Sequence, residues 1–376
     1  MKTVRIFSTI VAALAICSCT VSQSTEQLVV GTYGSAIHIL SYNPADGSLT
    51  PTGTIPAVNA SYVALGGTNS KGEQLLYAVS ENGQDSGVYS FAFDGTQWQQ
   101  TAFCNEVGAD PCYIYPVEGT GLVLTADYSG GSLSVFGTED GAISGRIQLM
   151  QFASNYGEES PRPQQRGSAH IHQVKEIPSA ICANAGIEGR HLLVSDLGND
   201  IIRVMKLDAG RLQQVDSVFC GEGAGPRHME FDAAKSTLYC ITELSDELIA
   251  WSIGSTDGKP AFTQIQKIDA YEYDGNGSAD IHIHPNGRWL YTSHRLVGDG
   301  VSSFLINEDG TLTPTGYTIT LSHPRNFKIS NDGQKMLVAS KDADCIQVFD
   351  IDQNTGALTG SPMDFSTGND EPVCLQ

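Results

Sequence analysis

Two His-x-His pairs, together with scattered arginines and carboxylates, are the residues of this chain that could carry chemistry. The pairs are His170-Ile171-His172 and His282-Ile283-His284. Side chains two positions apart on a strand point to the same side, so each pair presents two imidazoles together. Arginine binds carboxylate and phosphate groups through paired hydrogen bonds. These residue types favour binding of a small anion, with histidine available for proton transfer.

Seven glycine-containing turns define the repeat that must position these residues. Each glycine follows Asp, Ala or Thr and supplies the positive φ of a tight hairpin turn. The glycines are Gly47, Gly95, Gly141, Gly210, Gly258, Gly310 and Gly356. Five intervals are 46 to 52 residues long and one is 69. This period is typical of β-propeller blades, and the long interval indicates insertions at Phe152–Gly167 and Ile177–Gly189.

Short apolar runs before these turns predict the second strand of each blade. The runs are Leu28–Val30, Leu75–Tyr77, Leu122–Leu124, Leu192–Val194, Leu238–Cys240, Trp289–Tyr291 and Met336–Val338. Six further segments, from Ser61–Val63 to Arg325–Phe327, predict the innermost strands, and the seventh copy is Glu371–Gln376. We therefore predict an all-β fold, a seven-bladed β-propeller over residues 28–376. Its C-terminal strand completes the first blade and closes the ring.

One residue per blade at the end of the second strand is expected at one mouth of the central channel. Aligning the strands places there Tyr33, Glu81, Asp127, Asp196, Glu243, Arg295 and Lys341. The starts of the innermost strands add His170, His172, Arg227, His282, His284 and Arg325. A strand end is often simply solvated, but several cations gathered in an acidic protein indicate an anion site. The predicted substrate-binding residues are His170, Arg325, Glu81, Asp127, Asp196 and Lys341.

A metal centre is a weaker interpretation of the same residues. The two histidine pairs belong to blades four and six, and the nearby arginines oppose a dication. The sequence contains no G-x-S-x-G, no H-E-x-x-H and no phosphate-cradling glycine loop. Asp350–Asn354 resembles the start of a calcium loop but lacks the closing glutamate, and it coincides with a blade turn. We therefore predict no metal and no cofactor.

The overall charge limits the possible partners. The 376 residues include 42 Asp and Glu against 21 Lys and Arg, a formal net charge of −21. This excess repels phosphate backbones, so nucleic-acid binding is not predicted. Outside the N terminus, seven scattered cysteines lack C-x-x-C spacing, which argues against a disulfide framework.

The N terminus is typical of a bacterial lipoprotein signal. Lys2 and Arg5 precede the apolar stretch Ile6–Ile16, which is too short to span a bilayer. Cys19 then stands where a lipobox carries its lipidated cysteine, although an ordinary cleaved signal with an incidental cysteine is the alternative. We predict a signal at 1–18, a polar tether at 19–27, and a lipid-anchored protein of the cell envelope, on the periplasmic side or outer surface.

Several short motifs resemble the propeller-type lactonase family, which includes 6-phosphogluconolactonases and fungal carboxy-cis,cis-muconate lactonizing enzymes. These motifs are Val30-Gly31-Thr32-Tyr33, His170-Ile171-His172, Asp196-Leu197-Gly198, Gly225-Pro226-Arg227-His228, Glu243-Leu244 and Pro324-Arg325. The resemblance covers essentially the whole chain after the signal. By its similarity to the muconate branch, it implies a catalytic set composed of His172, Arg227, Glu243 and Arg295. One departure is His294 before Arg295, where the family commonly has Asn.

The resemblance implies hydrolysis of an anionic sugar lactone, as in 6-phosphogluconolactonase. Water would attack the carbonyl with Glu243 or His172 as general base. A glutamate beside two arginines has a lowered pKa, which favours His172 as the base. Arg227 and Arg295 would stabilise the oxyanion or hold the substrate's anionic group. The alternatives are a muconate-type cycloisomerase and a non-catalytic propeller that binds a ligand or glycan.

Overall fold

The computed structural model describes residues 25–156, 162–165, 167–273 and 275–376. The predicted signal at 1–18 and the lipidation site Cys19 lie outside these residues, as does most of the predicted tether. Within the described part of the chain, strands form seven four-stranded sheets. The predicted seven-bladed propeller is therefore confirmed.

The first blade joins the two ends of the propeller. Its sheet contains β1 (Glu26–Thr32), β2 (Ala36–Tyr42), β3 (Leu49–Pro56) and the C-terminal β28 (Pro372–Leu375), in the order β28-β1-β2-β3. Val29 and Gln376 exchange backbone N–H···O hydrogen bonds of 2.9 Å. Closure by the C-terminal strand is thus confirmed, and β1 begins two residues before the predicted start at Leu28.

The other six blades each use four consecutive strands that pair antiparallel with their neighbours. Blades two and three contain β4 (Val63–Thr68), β5 (Gln74–Ser80), β6 (Gly87–Phe93), β7 (Trp98–Cys104), β8 (Pro111–Val117), β9 (Leu122–Asp127), β10 (Ser132–Glu139) and β11 (Ala142–Gln151). Blades four and five contain β12 (Ile171–Glu176), β13 (Arg190–Asp196), β14 (Ile201–Asp208), β15 (Arg211–Phe219), β16 (Pro226–Asp232), β17 (Thr237–Thr242), β18 (Glu247–Thr256) and β19 (Lys259–Asp269). Blades six and seven contain β20 (Ser278–Ile283), β21 (Trp289–His294), β22 (Gly300–Ile306), β23 (Leu312–Ile319), β24 (Pro324–Ile329), β25 (Lys335–Ser340), β26 (Cys345–Ile351) and β27 (Leu358–Ser366).

The turn glycines also lock neighbouring blades together. Tyr239 on β17 donates its hydroxyl hydrogen bond to the carbonyl of Gly310, the turn glycine of the next blade, across 2.8 Å. Tyr291 makes the same contact with Gly356 across 2.7 Å. Gly356 has φ +74, and a Cβ there would lie 2.6 Å from the Trp289 ring. The turn therefore requires glycine both for its backbone conformation and for the close approach of the adjacent blade.

Both predicted insertions belong to blade four. The second contains α1 (Ser179–Ala185), which packs on blade five through the buried Ile181. The first approaches the end of the channel where the candidate site lies, because Arg162 donates to Asn276 across 2.7 Å just before β20. Three-residue 3-10 turns complete the regular structure at Gly83–Asp85, Pro163–Gln165, Leu197–Asn199 and Lys341–Ala343. The seven cysteines of the described residues are all free thiols.

Candidate active site

A β-bulge near the start of the innermost strand recurs in six blades. In blade five, Pro226 pairs with Thr242 and His228 with Ile241, so Arg227 has no partner on β17. The same register shift in four other blades leaves one residue of the innermost strand unpaired. In blade six two residues of the innermost strand, Ala279 and Asp280, stand opposite the single residue Ser293. The single unpaired residues are Cys112, His172, Arg227, Arg325 and Val373. A bulge re-aims a side chain that would otherwise continue the strand alternation.

The re-aimed side chains meet in one small cavity on the propeller axis. It is lined by Ser61, Tyr62, Cys112, His172, Arg227, His228, Arg325, Asn326 and Val373. These residues come from six of the seven blades, so the cavity must lie at the centre of the ring. It brings together three residues that the sequence predicted for the site, His172, Arg227 and Arg325. The bulge is the local feature that positions them.

Glu243 connects two arginines beside this cavity. Its Oε2 accepts from Arg227 Nε across 2.7 Å and from Arg295 Nη2 across 3.0 Å. The side chains of both arginines are almost completely buried, whereas Glu243 is 19 % exposed. The four-residue set implied by the family resemblance is therefore brought together around one carboxylate oxygen and one cavity.

The charges in this cluster determine its protonation. Burial alone would raise the pKa of Glu243, but Arg295, Arg227 and Arg325 lower it below its ordinary value. Burial lowers the pKa of Arg295 to about 10, with Glu243 opposing the shift. At neutral pH the Glu243 carboxylate and the Arg295 guanidinium are charged. Because both guanidinium groups bind its Oε2, the geometric role of Glu243 is to hold the two arginines.

The arginines differ in how many of their donors are already used. Arg227 also donates from Nη1 to the Ala279 carbonyl across 2.6 Å. Arg295 donates from Nε to the Gly277 carbonyl across 2.9 Å. Arg325 makes no hydrogen bond or ion pair with the described residues, and its guanidinium lies 5.4 Å from the centre of the Tyr33 ring. Arg325 therefore has the most donors available for an anionic ligand.

His172 is buried against aromatic rings at the same cavity. Its ring packs edge-on against Tyr128 and against His228, with centroid distances of 5.7 and 5.1 Å. Burial and the charges of Arg227 and Arg325 lower the pKa of His172 well below its ordinary value. The imidazole is therefore neutral at pH 7 and able to accept a proton. The His170 ring stacks on the Tyr128 ring with centroids 4.4 Å apart, and His170 Nδ1 donates to the Tyr128 carbonyl across 2.9 Å.

Two predicted site residues, Asp127 and Asp196, do not reach the mouth. Asp127 pairs with Pro111 in blade three, as Thr242 pairs with Pro226 in blade five. Asp127 is therefore structurally equivalent to Thr242 and not to Glu243. The sequence alignment was wrong by one residue in these blades, and successive strand residues face opposite sides. Asp127 is fully buried and bonds Thr125, Ser132 and Ser134, while Asp196 binds Arg203 at 2.6 Å.

The residue that actually follows β9 is Tyr128, which the sequence alignment missed. Tyr128 contacts both His170 and His172. Most other blades carry a polar residue at the equivalent position, such as Glu81, Glu243, Arg295 and Lys341. The apparent match of Asp127 to Glu243 concealed Tyr128, the aromatic residue that follows Asp127.

The remaining predicted residues lie at the edge of the cluster or away from it. Glu81 accepts a 2.8 Å hydrogen bond from the Tyr33 hydroxyl. Lys341 pairs with Asp342 and Glu371 at 3.0 and 3.2 Å, on a more exposed part of the rim. His282 and His284 lie near the far end of β20, whose mouth end is Ser278, so placing them at the mouth was wrong. His284 bonds the Gly333 carbonyl, in a turn of blade seven.

The unusual His294 does not disturb Arg295. Its Nδ1 contacts Ser278 Oγ at 2.8 Å, and its Nε2 contacts Thr292 and Ser302 inside blade six. Burial and the neighbouring Arg295 lower the pKa of His294 to about 3, so the ring is neutral. Because His294 and Arg295 point to opposite sides of the strand end, Arg295 still reaches Glu243.

The described residues lack the features of two other classes of site. Within ranges 25–156, 162–165, 167–273 and 275–376, no three His, Cys, Asp or Glu side chains form a group suited to a metal ion. In the same ranges, no helix has the length and apolar character needed to cross a membrane.

A ring of seven blades with this cluster at its centre defines the class of protein. The sequence model of a protein family described as lactonase, seven-bladed β-propeller, matches residues 27–376. The chain therefore belongs to this lactonase family, as the sequence motifs predicted.

Known relatives carry related names. A 6-phosphogluconolactonase of Yersinia pestis is 37 % identical over 199 residues, which cover 51 % of this chain and 58 % of the relative. A Bacteroides fragilis crystal structure, provisionally named a 6-phosphogluconolactonase, is 32 % identical with a TM-score of 0.83, covering 95 % of this chain and 99 % of that one. The periplasmic gluconolactonase of Pseudomonas aeruginosa is 26 % identical with a TM-score of 0.82, covering 94 % and 99 %.

Proposed function

We propose that this protein hydrolyses an anionic sugar lactone at the mouth of the propeller channel. The observation that carries the proposal is the cluster at the mouth, where Glu243 joins Arg227 and Arg295 next to His172 and Arg325. It combines a neutral imidazole, a guanidinium held by Glu243, and a guanidinium with uncommitted donors. Hydrolysis of an anionic sugar lactone requires a general base, a group that stabilises the oxyanion, and a group that binds the substrate's anionic substituent.

Each residue then has a distinct role. His172 removes a proton from the attacking water, because its neutral form predominates at pH 7. Arg227, oriented by Glu243, stabilises the negative charge that develops on the carbonyl oxygen. Arg325 binds the substrate's carboxylate or phosphate through its planar fork. Arg295 keeps Glu243 ionised and in place, so Glu243 acts by positioning rather than as the base.

The cellular location bears on the substrate. The predicted lipobox at Cys19 would place the protein in the cell envelope, whereas phosphorylated sugar lactones arise in the cytosol. A Pseudomonas aeruginosa relative is named a periplasmic gluconolactonase. Both points favour an unphosphorylated or exported lactone as the substrate.

A hydrolysis screen tests this function. Purified protein is offered gluconolactone, 6-phosphogluconolactone, other aldonolactones and a carboxymuconate, and proton release by hydrolysis or proton uptake by cycloisomerisation is followed at constant pH. Turnover of a sugar lactone supports the proposal. Turnover of the muconate alone would indicate a cycloisomerase, and tight binding without any turnover would indicate a binding propeller.

A further inference from the structure

Three residues that line the central cavity each carry a buried polar atom without a partner. These atoms are Ser61 Oγ, His172 Nδ1 and His228 Nε2, each enclosed and without a hydrogen bond in the described structure. All three residues line the same cavity, and each is at least 95 % buried. An enclosed polar atom without a partner destabilises the protein, so a ligand that satisfies three such atoms is strongly favoured.

The size of the cavity selects the ligand. Its volume is about 10 Å³, close to the minimum that one water molecule needs. Buried waters typically make about three hydrogen bonds to otherwise unsatisfied groups. The ring centroids of His172 and His228 lie 5.1 Å apart in an edge-to-face arrangement, so both rings border the same small space.

The partner of His228 fixes which of its nitrogens carries the proton. His228 Nδ1 lies 2.7 Å from Asp280 Oδ1. Asp280 also accepts from Asn326 Nδ2 and contacts His282 Nε2 at 3.0 Å. Because an ionised carboxylate only accepts, His228 donates from Nδ1 and its buried Nε2 is left as an acceptor. A water in the cavity can therefore donate to His228 Nε2.

We propose that one buried water, held by Ser61, His172 and His228, connects the catalytic histidine to the His228–Asp280 pair and carries a proton between them. This proposal rests on the lactonase function above. His172 accepts a proton from the attacking water at Nε2 and gives up its Nδ1 proton to the buried water. The buried water transfers one of its own protons to His228 Nε2, and the reverse sequence returns a proton to the departing alkoxide.

The relay solves an electrostatic difficulty of the mouth. A proton that stays on His172 adds positive charge next to Arg227 and Arg325, where burial already lowers the pKa of His172 well below normal. A proton on His228 instead lies beside the Asp280 carboxylate at 2.7 Å. Burial and Arg227 lower the pKa of His228 to about 4, with Asp280 opposing, so this pair holds the proton only transiently.

The first test is independent of catalysis. Nitrogen NMR of the purified protein labelled with ¹⁵N-histidine should show His228 protonated at Nδ1 and hydrogen-bonded as an acceptor at Nε2. Ser61→Ala should shift the His172 Nδ1 and His228 Nε2 resonances together, because both would share the same water. A His228 ring protonated at Nε2 would overturn the water site. So would the absence of a joint shift of His172 Nδ1 and His228 Nε2 after Ser61→Ala.

The second test measures the relay. His228→Phe keeps the ring volume but removes Nε2, and we expect kcat to fall at least about tenfold with KM within twofold. In mixtures of H₂O and D₂O, the wild-type rate should follow a curved proton inventory that becomes linear in the variant. The matched control is His191→Phe, since His191 is also buried with an unpartnered Nδ1 but does not line the cavity. Unchanged kcat and curvature in His228→Phe would refute the relay.

The two tests separate failure of the relay from failure of the function. If the protein hydrolyses no lactone, the relay step is refuted together with the function, while the NMR result still decides whether the water site exists. If lactone hydrolysis is measured and only the His228→Phe prediction fails, the lactonase proposal stands and the relay alone is rejected.

Discussion

Glu243 and Arg295 occupy the same position in successive blades, and Glu243 Oε2 lies 3.0 Å from Arg295 Nη2. Each residue follows directly on the second strand of its blade, β17 and β21. The ion pair therefore joins blades five and six at the channel mouth. Since Arg227 shares the same carboxylate oxygen, one glutamate sets the orientation of both guanidinium groups.

We expect Glu243→Gln to reduce turnover while leaving ligand binding largely intact. The amide keeps the shape but loses the charge that orients Arg227 and Arg295. The measurement is kcat together with ligand Kd by calorimetry. Glu247→Gln is the control, because Glu247 forms an ion pair with Lys267 at 2.8 Å on β18 outside the cluster. Unchanged kcat in Glu243→Gln would mean that the arginines are positioned by their backbone contacts alone.

The pH profile should reflect the lowered pKa of His172. Activity needs the neutral ring, so kcat/KM should stay level as the pH falls through 6.5, the ordinary histidine value, and decline only at lower pH. Arg325→Gln removes one of the positive charges that lower this pKa, so the acid limb should move to higher pH. An acid limb at 6.5 that does not move in Arg325→Gln would exclude His172 as the base.

The fold could be predicted from the sequence because its signals repeat. Glycine turns and apolar runs recur seven times, and an error in one copy is corrected by the others. The site depends on local departures from that regularity. The bulge at Arg227 leaves no trace in hydrophobic periodicity, although the motif containing Arg227 identified the residue. The one-residue error at Asp127 hid Tyr128, and the unpartnered nitrogens of His172 and His228 become visible only when six blades converge.

Ring closure can be tested by truncation. Deleting Pro372–Gln376 removes β28, which pairs with β1 and donates from Leu375 N to Asn326 Oδ1 across 2.8 Å. The loss exposes the inner edge of β1 and the buried Leu28 and Val30. We expect the melting temperature to fall by roughly 10 °C or more. Calorimetry of the truncated and full-length proteins measures the change, and equal melting temperatures would mean that β28 is not needed for closure.

The predicted lipid anchor can be tested by fractionation. Cys19→Ala should move the protein from membrane fractions to soluble fractions, because acylation at Cys19 is the anchor that the sequence predicts. Immunoblots of separated envelope and soluble fractions measure the distribution. Cys17→Ala provides the matched control, since it changes the neighbouring cysteine of the same segment. Persistent membrane association of Cys19→Ala would contradict the lipoprotein assignment.

The arginines distinguish an enzyme from a binding protein. If Arg227 stabilises the charge that develops during hydrolysis and Arg295 holds the Glu243 that orients it, replacing either with Ala should lower kcat by about two to three orders of magnitude. Arg227→Lys and Arg295→Lys should recover little, because an ammonium group cannot reproduce the planar fork that contacts Glu243 and the neighbouring carbonyls.

Arg325→Ala should act differently, mainly on KM, because its free donors are proposed to bind the substrate's anionic group in both ground and transition states. Steady-state kinetics on one lactone measures all these variants, and circular dichroism checks that the propeller is intact. EDTA should leave the rate unchanged. If all three Ala variants hydrolyse lactone at the wild-type rate, or if EDTA abolishes hydrolysis, the chemistry lies elsewhere on the rim. In that case the arginine cluster serves only to join the blades.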